Sequence, residues 1–286
     1  MAFAKAAAAA CLSLTKLSMA QPPEASSHFA RLEDTRVHYT NYGTGDFALL
    51  LVHGWNCNEN VWKEQAPALA NTVRVITIDL PGHGQSDKPK INYTMDLQAR
   101  ALDAVLEDGG VKTAVLIGHS NGTPVLRQFY RRSAEKVRGL VIVDGALRPF
   151  GDAAMMEKFI APLRGPDYTA TVTRFVEEMT ASMPAQQRAK LETMMLATPQ
   201  HVAVGEMEAL LDPALWKEDK IEVPVLMVMA KQPAWTAEYE AFVRRLAPKL
   251  DYQIWEGVSH FVMLDKPDEF NAAVLAFLAE NGLPPH

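Results

Sequence analysis

Cysteine is nearly missing from this chain: Cys11 and Cys57 are the only two in 286 residues. Two thiols give no disulfide framework and no cysteine-based metal site. A basic excess is missing too. With 28 Lys and Arg against 34 Asp and Glu, the net charge is −6, the wrong balance for a surface that tracks nucleic-acid phosphates. No apolar run approaches the ~20 residues of a membrane-spanning helix. The expectations are therefore no nucleic-acid partner, no membrane span, and no metal or cofactor. What remains is 48% hydrophobic and 22% charged, ordinary globular composition for one large domain carrying an insertion, or for two small ones.

The first 20 residues have the pattern of an export signal. Lys5 supplies positive charge, residues 6–14 form a short alanine-rich apolar core, and Ser18 and Ala20 are small residues at a cleavage site before Gln21-Pro22-Pro23. This predicts a periplasmic or secreted protein whose mature form keeps Cys57 alone. Without the signal the expected location is cytoplasmic.

The stretch Val115-Leu-Ile-Gly-His-Ser-Asn-Gly-Thr123 carries the most chemistry. Residues 114–117 form a continuous apolar run, as in a strand buried on both faces. Gly118-His119-Ser120-Asn121-Gly122 matches G-x-S-x-G. Residues 124–132 then follow a helical pattern, with Val125, Leu126, Phe129 and Tyr130 on one side and Pro124 suited to a first turn. Strand, sharp turn and helix are the context in which this motif lifts a serine hydroxyl clear of a sheet. The helix N-terminus beneath Ser120 favours negative charge.

Along the chain, residues 29–42 suggest an opening antiparallel hairpin and residues 43–46 a turn. Buried strands are predicted at 47–52, 73–78, 114–117, 140–143 and 223–229, and a last short strand at 252–255. Helices are predicted at 61–69, 94–106, 124–132, 239–246 and 270–278. This alternation argues for an α/β fold: a doubly wound, mostly parallel sheet. Residues 148–220 break the rhythm. They hold seven of the thirteen methionines and read as short helices without a strand. Methionine fills irregular gaps and adapts its shape, so the segment suits a helical cap with a deformable apolar lining. The expected organisation is a core of residues 29–147 and 221–286 with the cap inserted at 148–220.

His53-Gly54, the loop from Asp79 to Ser86, the Ser120 turn and Gly257 to His260 stand in the order found in α/β-hydrolases, which the chain resembles from about Phe47 onward. By that resemblance Ser120 is the nucleophile and His260 its base; a serine hydroxyl needs such a neighbour to remove its proton. The resemblance implies oxyanion donors at the backbone N–H groups of Trp55 and Asn121. It gives His53 a supporting place beside them, and His53, Trp235 and Phe261 are candidate pocket residues. Of the remaining histidines, His83 is expected to stabilise its own loop, His119 to fill the variable position of the turn, and His201 to lie in the cap.

The acid departs from the family's common pattern. The loop after the 223–229 strand, Ala230 to Thr236, holds no carboxylate before Glu238. Some members place the acid one strand earlier, where this chain has Asp144. Asp144 is favoured over Glu238 because it follows a strand directly. The resulting expectation is a serine hydrolase acting through an acyl-serine on a small, apolar ester-like substrate: a carboxylic ester, a thioester or a lactone. The alternative is a cofactor-free dioxygenase of the 4-quinolone-cleaving group, which shares the fold, the early acid and a Trp near the oxyanion loop. A non-catalytic, receptor-like binder is the third reading.

Overall fold

The computed structural model describes residues 24–283; the first 20 residues, read above as an export signal, lie outside them. Eight strands form one sheet in the order β1-β2-β4-β3-β5-β6-β7-β8. β1 (Ala25–Leu32) and β2 (Thr35–Tyr42) make an antiparallel hairpin, and β2 is antiparallel to β4 (Val75–Ile78). β3 (Phe47–Val52), β4, β5 (Thr113–His119), β6 (Val137–Val143), β7 (Val225–Ala230) and β8 (Leu250–Trp255) run parallel. The apolar runs of the inner strands follow from burial on both faces; every residue of β4 and of β7 is buried. β8, at an edge, is only partly covered.

Helices flank the sheet. α1 (Ala66–Leu69), α2 (Met95–Asp108) and α3 (Gly122–Arg132) precede β6, and α2 packs on α3. Between β6 and β7 come α4 (Ala153–Arg164), α5 (Tyr168–Met179), α6 (Ala185–Leu196) and α7 (Gln200–Ala209), with no strand among them. α8 (Ala237–Leu246) joins β7 to β8, and α9 (Val262–Asp265) and α10 (Pro267–Glu280) close the described chain. From β3 the chain runs to β4 on one side and then to β5 on the other, so the strand order reverses there. The crevice beyond the carboxyl ends of β3 and β5 is where such sheets bind ligands.

Two local expectations need correction. The helix expected at 61–69 is split into a 3-10 turn (Glu59–Trp62), capped by Asn58, and α1. Pro67 has no N–H to donate, so a helix must begin at it rather than pass through it. The opening hairpin starts at Ala25, four residues earlier than expected, and turns at Glu33-Asp34, where Glu33 takes φ +54°. The alternation of that edge hairpin is weak because most of β1 faces solvent.

Candidate active site

The Ser120 turn is fixed by its neighbours. Ser120 has φ +52°, a conformation that costs a non-glycine residue on the order of 1–3 kcal/mol and persists only where surroundings enforce it. Here its N–H donates to Val143 O (2.9 Å) and its carbonyl accepts from Thr123 N–H (2.9 Å). A side chain at position 122 would put Cβ 2.9 Å from Val52 O and 3.0 Å from His53 O, so only glycine lets α3 start so close to β3. Asn121 is the N-cap residue of α3, which aims the helix N-terminus at the serine.

Asp144 follows β6 at once, with φ +44° and its N–H on Val228 O (2.9 Å). Its Oδ2 lies 2.6 Å from Nδ1 of His260. Its Oδ1 accepts from Ala230 N–H (3.0 Å) and from the indole Nε1–H of Trp235 (3.1 Å). The carboxylate is buried, so these three bonds replace its hydration. Glu238 is elsewhere: it sits in the first turn of α8, 85% exposed, 3.6 Å from Arg148.

His260 follows β8 through the turn at Gly257, and its own N–H donates to Met179 O of α5 (3.2 Å). His119 braces it from the other side. The carbonyl of His260 can only accept, so the His119 Nε2, 2.9 Å away, carries the proton. Burial and the nearby His260 hold the His119 imidazole neutral, well below its ordinary pKa. The two rings lie 4.6 Å apart.

Trp55 lines the cavity described below, and its indole N–H donates to Ala203 O of α7 (2.9 Å). Phe175 meets the ring edge-on at 5.5 Å. Among the described residues, neither the Trp55 nor the Asn121 main-chain N–H has a backbone acceptor, which leaves both available as oxyanion donors.

Two expected pocket residues do not line the cavity. His53 is buried beneath the Trp55 loop: Leu80 N–H donates to its Nε2 (3.0 Å), so Nδ1 carries the proton and donates to Gly54 O (2.8 Å). Burial, aided by His83, pushes its pKa down to about 4. Phe261 turns inward at the start of α9 and packs 4.8 Å from His119 and 5.6 Å from His260. Trp235 does line the cavity. His83 reaches beyond its own loop: besides Pro81 O, it faces Glu206 of α7 at 3.4 Å, and Gln98 donates to the same carboxylate at 2.7 Å. His201 lies in α7, half-buried against Tyr93.

Ser120, Asn121, Asp144 and His260 open onto a cavity of about 640 Å³ whose remaining walls are mostly apolar. Met155, Met156, Met179 and Met207 of the insertion line it, whereas Met183 and Met195 are buried away from it. Sequence reasoning missed Phe150, Phe159, Phe175 and Trp216, which also line it. Aromatics on short helices look alike whether they face a core or a cavity.

Among the described residues, His38, Glu59 and Asp79 bring three ligand-type atoms together. Hydrogen bonds already engage them: His38 Nδ1 meets Asp79 Oδ2 at 2.9 Å, and Thr40 and Thr77 hydroxyls donate to Glu59. None of the three lines the cavity. They tie β2 to the loops that follow β3 and β4.

The strand-turn-helix serine, the acid-bound histidine and the reversing parallel sheet define a hydrolase-type architecture. The chain belongs to the alpha/beta hydrolase family, whose model matches residues 49–273. It is 28% identical over 249 residues to a pimeloyl-[acyl-carrier protein] methyl ester esterase of Sodalis glossinidius, covering 82% of this chain and 95% of that one. It is 25% identical over 265 residues to a 2-hydroxy-6-oxononadienedioate/2-hydroxy-6-oxononatrienedioate hydrolase of Burkholderia vietnamiensis, covering 86% and 91%. The fold superimposes on an esterase from Exiguobacterium antarcticum with a TM-score of 0.78 at 19% identity, covering 89% of this chain and all of the other.

Proposed function

We propose that the chain is a serine hydrolase that cleaves a carboxylic ester, thioester or lactone through an acyl-serine. The observation that carries this reading is the 2.6 Å contact between Asp144 Oδ2 and His260 Nδ1, beside the cavity onto which Ser120 opens. Asp144 fixes the tautomer, leaving Nε2 of His260 to take the proton of Ser120 as its Oγ attacks the carbonyl carbon. The developing oxyanion accepts from the N–H groups of Trp55 and Asn121. His260 then returns the proton to the leaving alcohol or thiol. Water, deprotonated by the same imidazole, attacks the acyl-serine and releases the acid. The apolar walls favour a small molecule with an apolar chain. An ester reading also agrees with the relative named as a methyl ester esterase, and the relatives do not favour the dioxygenase alternative.

The experiment is labelling with a fluorophosphonate. One adduct on the Ser120 peptide is expected in the native protein and none in Ser120→Ala. An unlabelled Ser120 in folded protein would overturn the serine-nucleophile reading.

A further inference from the structure

The loop between β7 and α8 lacks a carboxylate, yet the last residue of β7 and this loop supply the two donors to the far oxygen of Asp144. Ala230 N–H and Trp235 Nε1–H converge on Oδ1 at 3.0 and 3.1 Å, while Oδ2 faces His260. A carboxylate with one oxygen held by two donors cannot rotate about its terminal bond without breaking both. Trp235 is itself held in place. Its main-chain N–H donates to Gln232 O (3.2 Å), the next residue, Thr236, caps α8, and its ring lies 4.9 Å from Tyr239. The Tyr239 hydroxyl in turn accepts from Leu147 N–H (3.0 Å), three residues beyond Asp144. Indole, phenol and acid-bearing loop thus form one closed packing unit.

We infer that Trp235 is a positioning residue for the acid: its indole N–H sets the orientation in which Asp144 holds His260, in addition to its ring forming part of the cavity wall. This rests on the serine-hydrolase reading. The two roles separate chemically. A wall contact acts on substrates long enough to touch it. A donor to Asp144 acts on every substrate, because every turnover uses His260.

The test is steady-state kinetics of Trp235→Phe on p-nitrophenyl acetate and p-nitrophenyl octanoate, in protein first shown to label at Ser120. Phenylalanine keeps an aromatic ring and removes the donor. The expected result is a fall in kcat of roughly 10-fold on both esters, the size of one hydrogen bond to a charged group, with KM for the acetate unchanged. A native kcat on acetate, with losses confined to the octanoate KM, would overturn the inference. Should Trp235→Phe fold poorly, site-specific replacement of Trp235 by benzothienylalanine removes the N–H in a nearly isosteric ring. The same fall on both esters is expected, and native turnover overturns the proposal. Failure of native protein to label with fluorophosphonate would instead strike the hydrolase reading.

Discussion

Asp144 and His260 are 116 residues apart in sequence and 2.6 Å apart in space. The carboxylate comes from the end of β6 and the imidazole from the turn after β8, so β7 lies between their strands. Asp144→Asn keeps the shape but presents an amide to Nδ1 and favours the wrong tautomer. Turnover of a p-nitrophenyl ester should fall on the order of 10³–10⁴-fold. Glu238→Gln, at an exposed helix start, should change turnover less than two-fold, about the scale of a surface substitution. Parallel kinetics on the two variants check the assignment, and the reverse ranking would sink it.

Gly54 lies between the Trp55 loop and the Ser120 turn. A methyl group there would sit 2.9 Å from His119 Nδ1 and 3.0 Å from Ser120 Cβ. Neither neighbour can retreat, since His119 is bonded to His260 O and Ser120 is held by Val143 O. Gly54→Ala should lower kcat at least 100-fold, the scale of losing one oxyanion donor, while circular dichroism still reports a folded sheet. Near-native kcat would show that the loop has slack that this packing does not contain.

The sheet and the Ser120 turn were legible because two-sided burial forces continuous apolar runs and the turn forces glycines at 118 and 122. Asp144 was legible for a similar reason, as a carboxylate immediately after a buried strand. The roles of His53 and Phe261 were not. Both lie close in sequence to cavity-lining residues, Trp55 and His260, but whether such a side chain faces a cavity or the core depends on the local turn. The Trp235 bond to Asp144 joins residues 91 apart, and no pattern in either segment announces it. The insertion's lining was half legible: methionine content pointed to an adaptable surface, but helical period alone did not separate Met207, which lines the cavity, from Met195, which does not.

Acid should destabilise the protein before it protonates most surface carboxylates. His53 is buried with its pKa pushed down to about 4, against about 6.5 in an unfolded chain. Between those values the unfolded state binds the proton and the folded state does not, so stability falls as pH drops from 6.5 and levels off below 4. The full contribution is on the order of 3 kcal/mol. His119 shifts in the same direction, by burial. His83 opposes it: despite burial, Glu206 raises its pKa, so its contribution is strongest at low pH and is lost as pH rises. Thermal unfolding from pH 7 to 4 should therefore show a falling Tm, and His53→Gln should start lower at pH 7 but decline less. An equal decline in both proteins would remove His53 as the source.

The cavity makes a prediction about chain length. Its apolar walls include Met, Phe and Trp side chains from the insertion, and its polar groups include the residues at the Ser120 end. Each methylene moved from water onto such walls is worth about 0.8 kcal/mol, or roughly four-fold in kcat/KM by the usual conversion. For p-nitrophenyl esters, kcat/KM should climb by about that factor per added methylene from acetate upward, until the chain fills the available space. Met155 allows the source of the gain to be checked. It lines the cavity yet is 59% exposed, so a charged side chain can stand there without entering the core. Met155→Glu should leave acetate turnover and Tm nearly native. It should lower kcat/KM for octanoate several-fold, because a carboxylate at the wall keeps its water and denies the chain an apolar contact. A flat chain-length series in the native protein, or equal losses on acetate and octanoate in Met155→Glu, would mean that the apolar chain does not bind against the insertion.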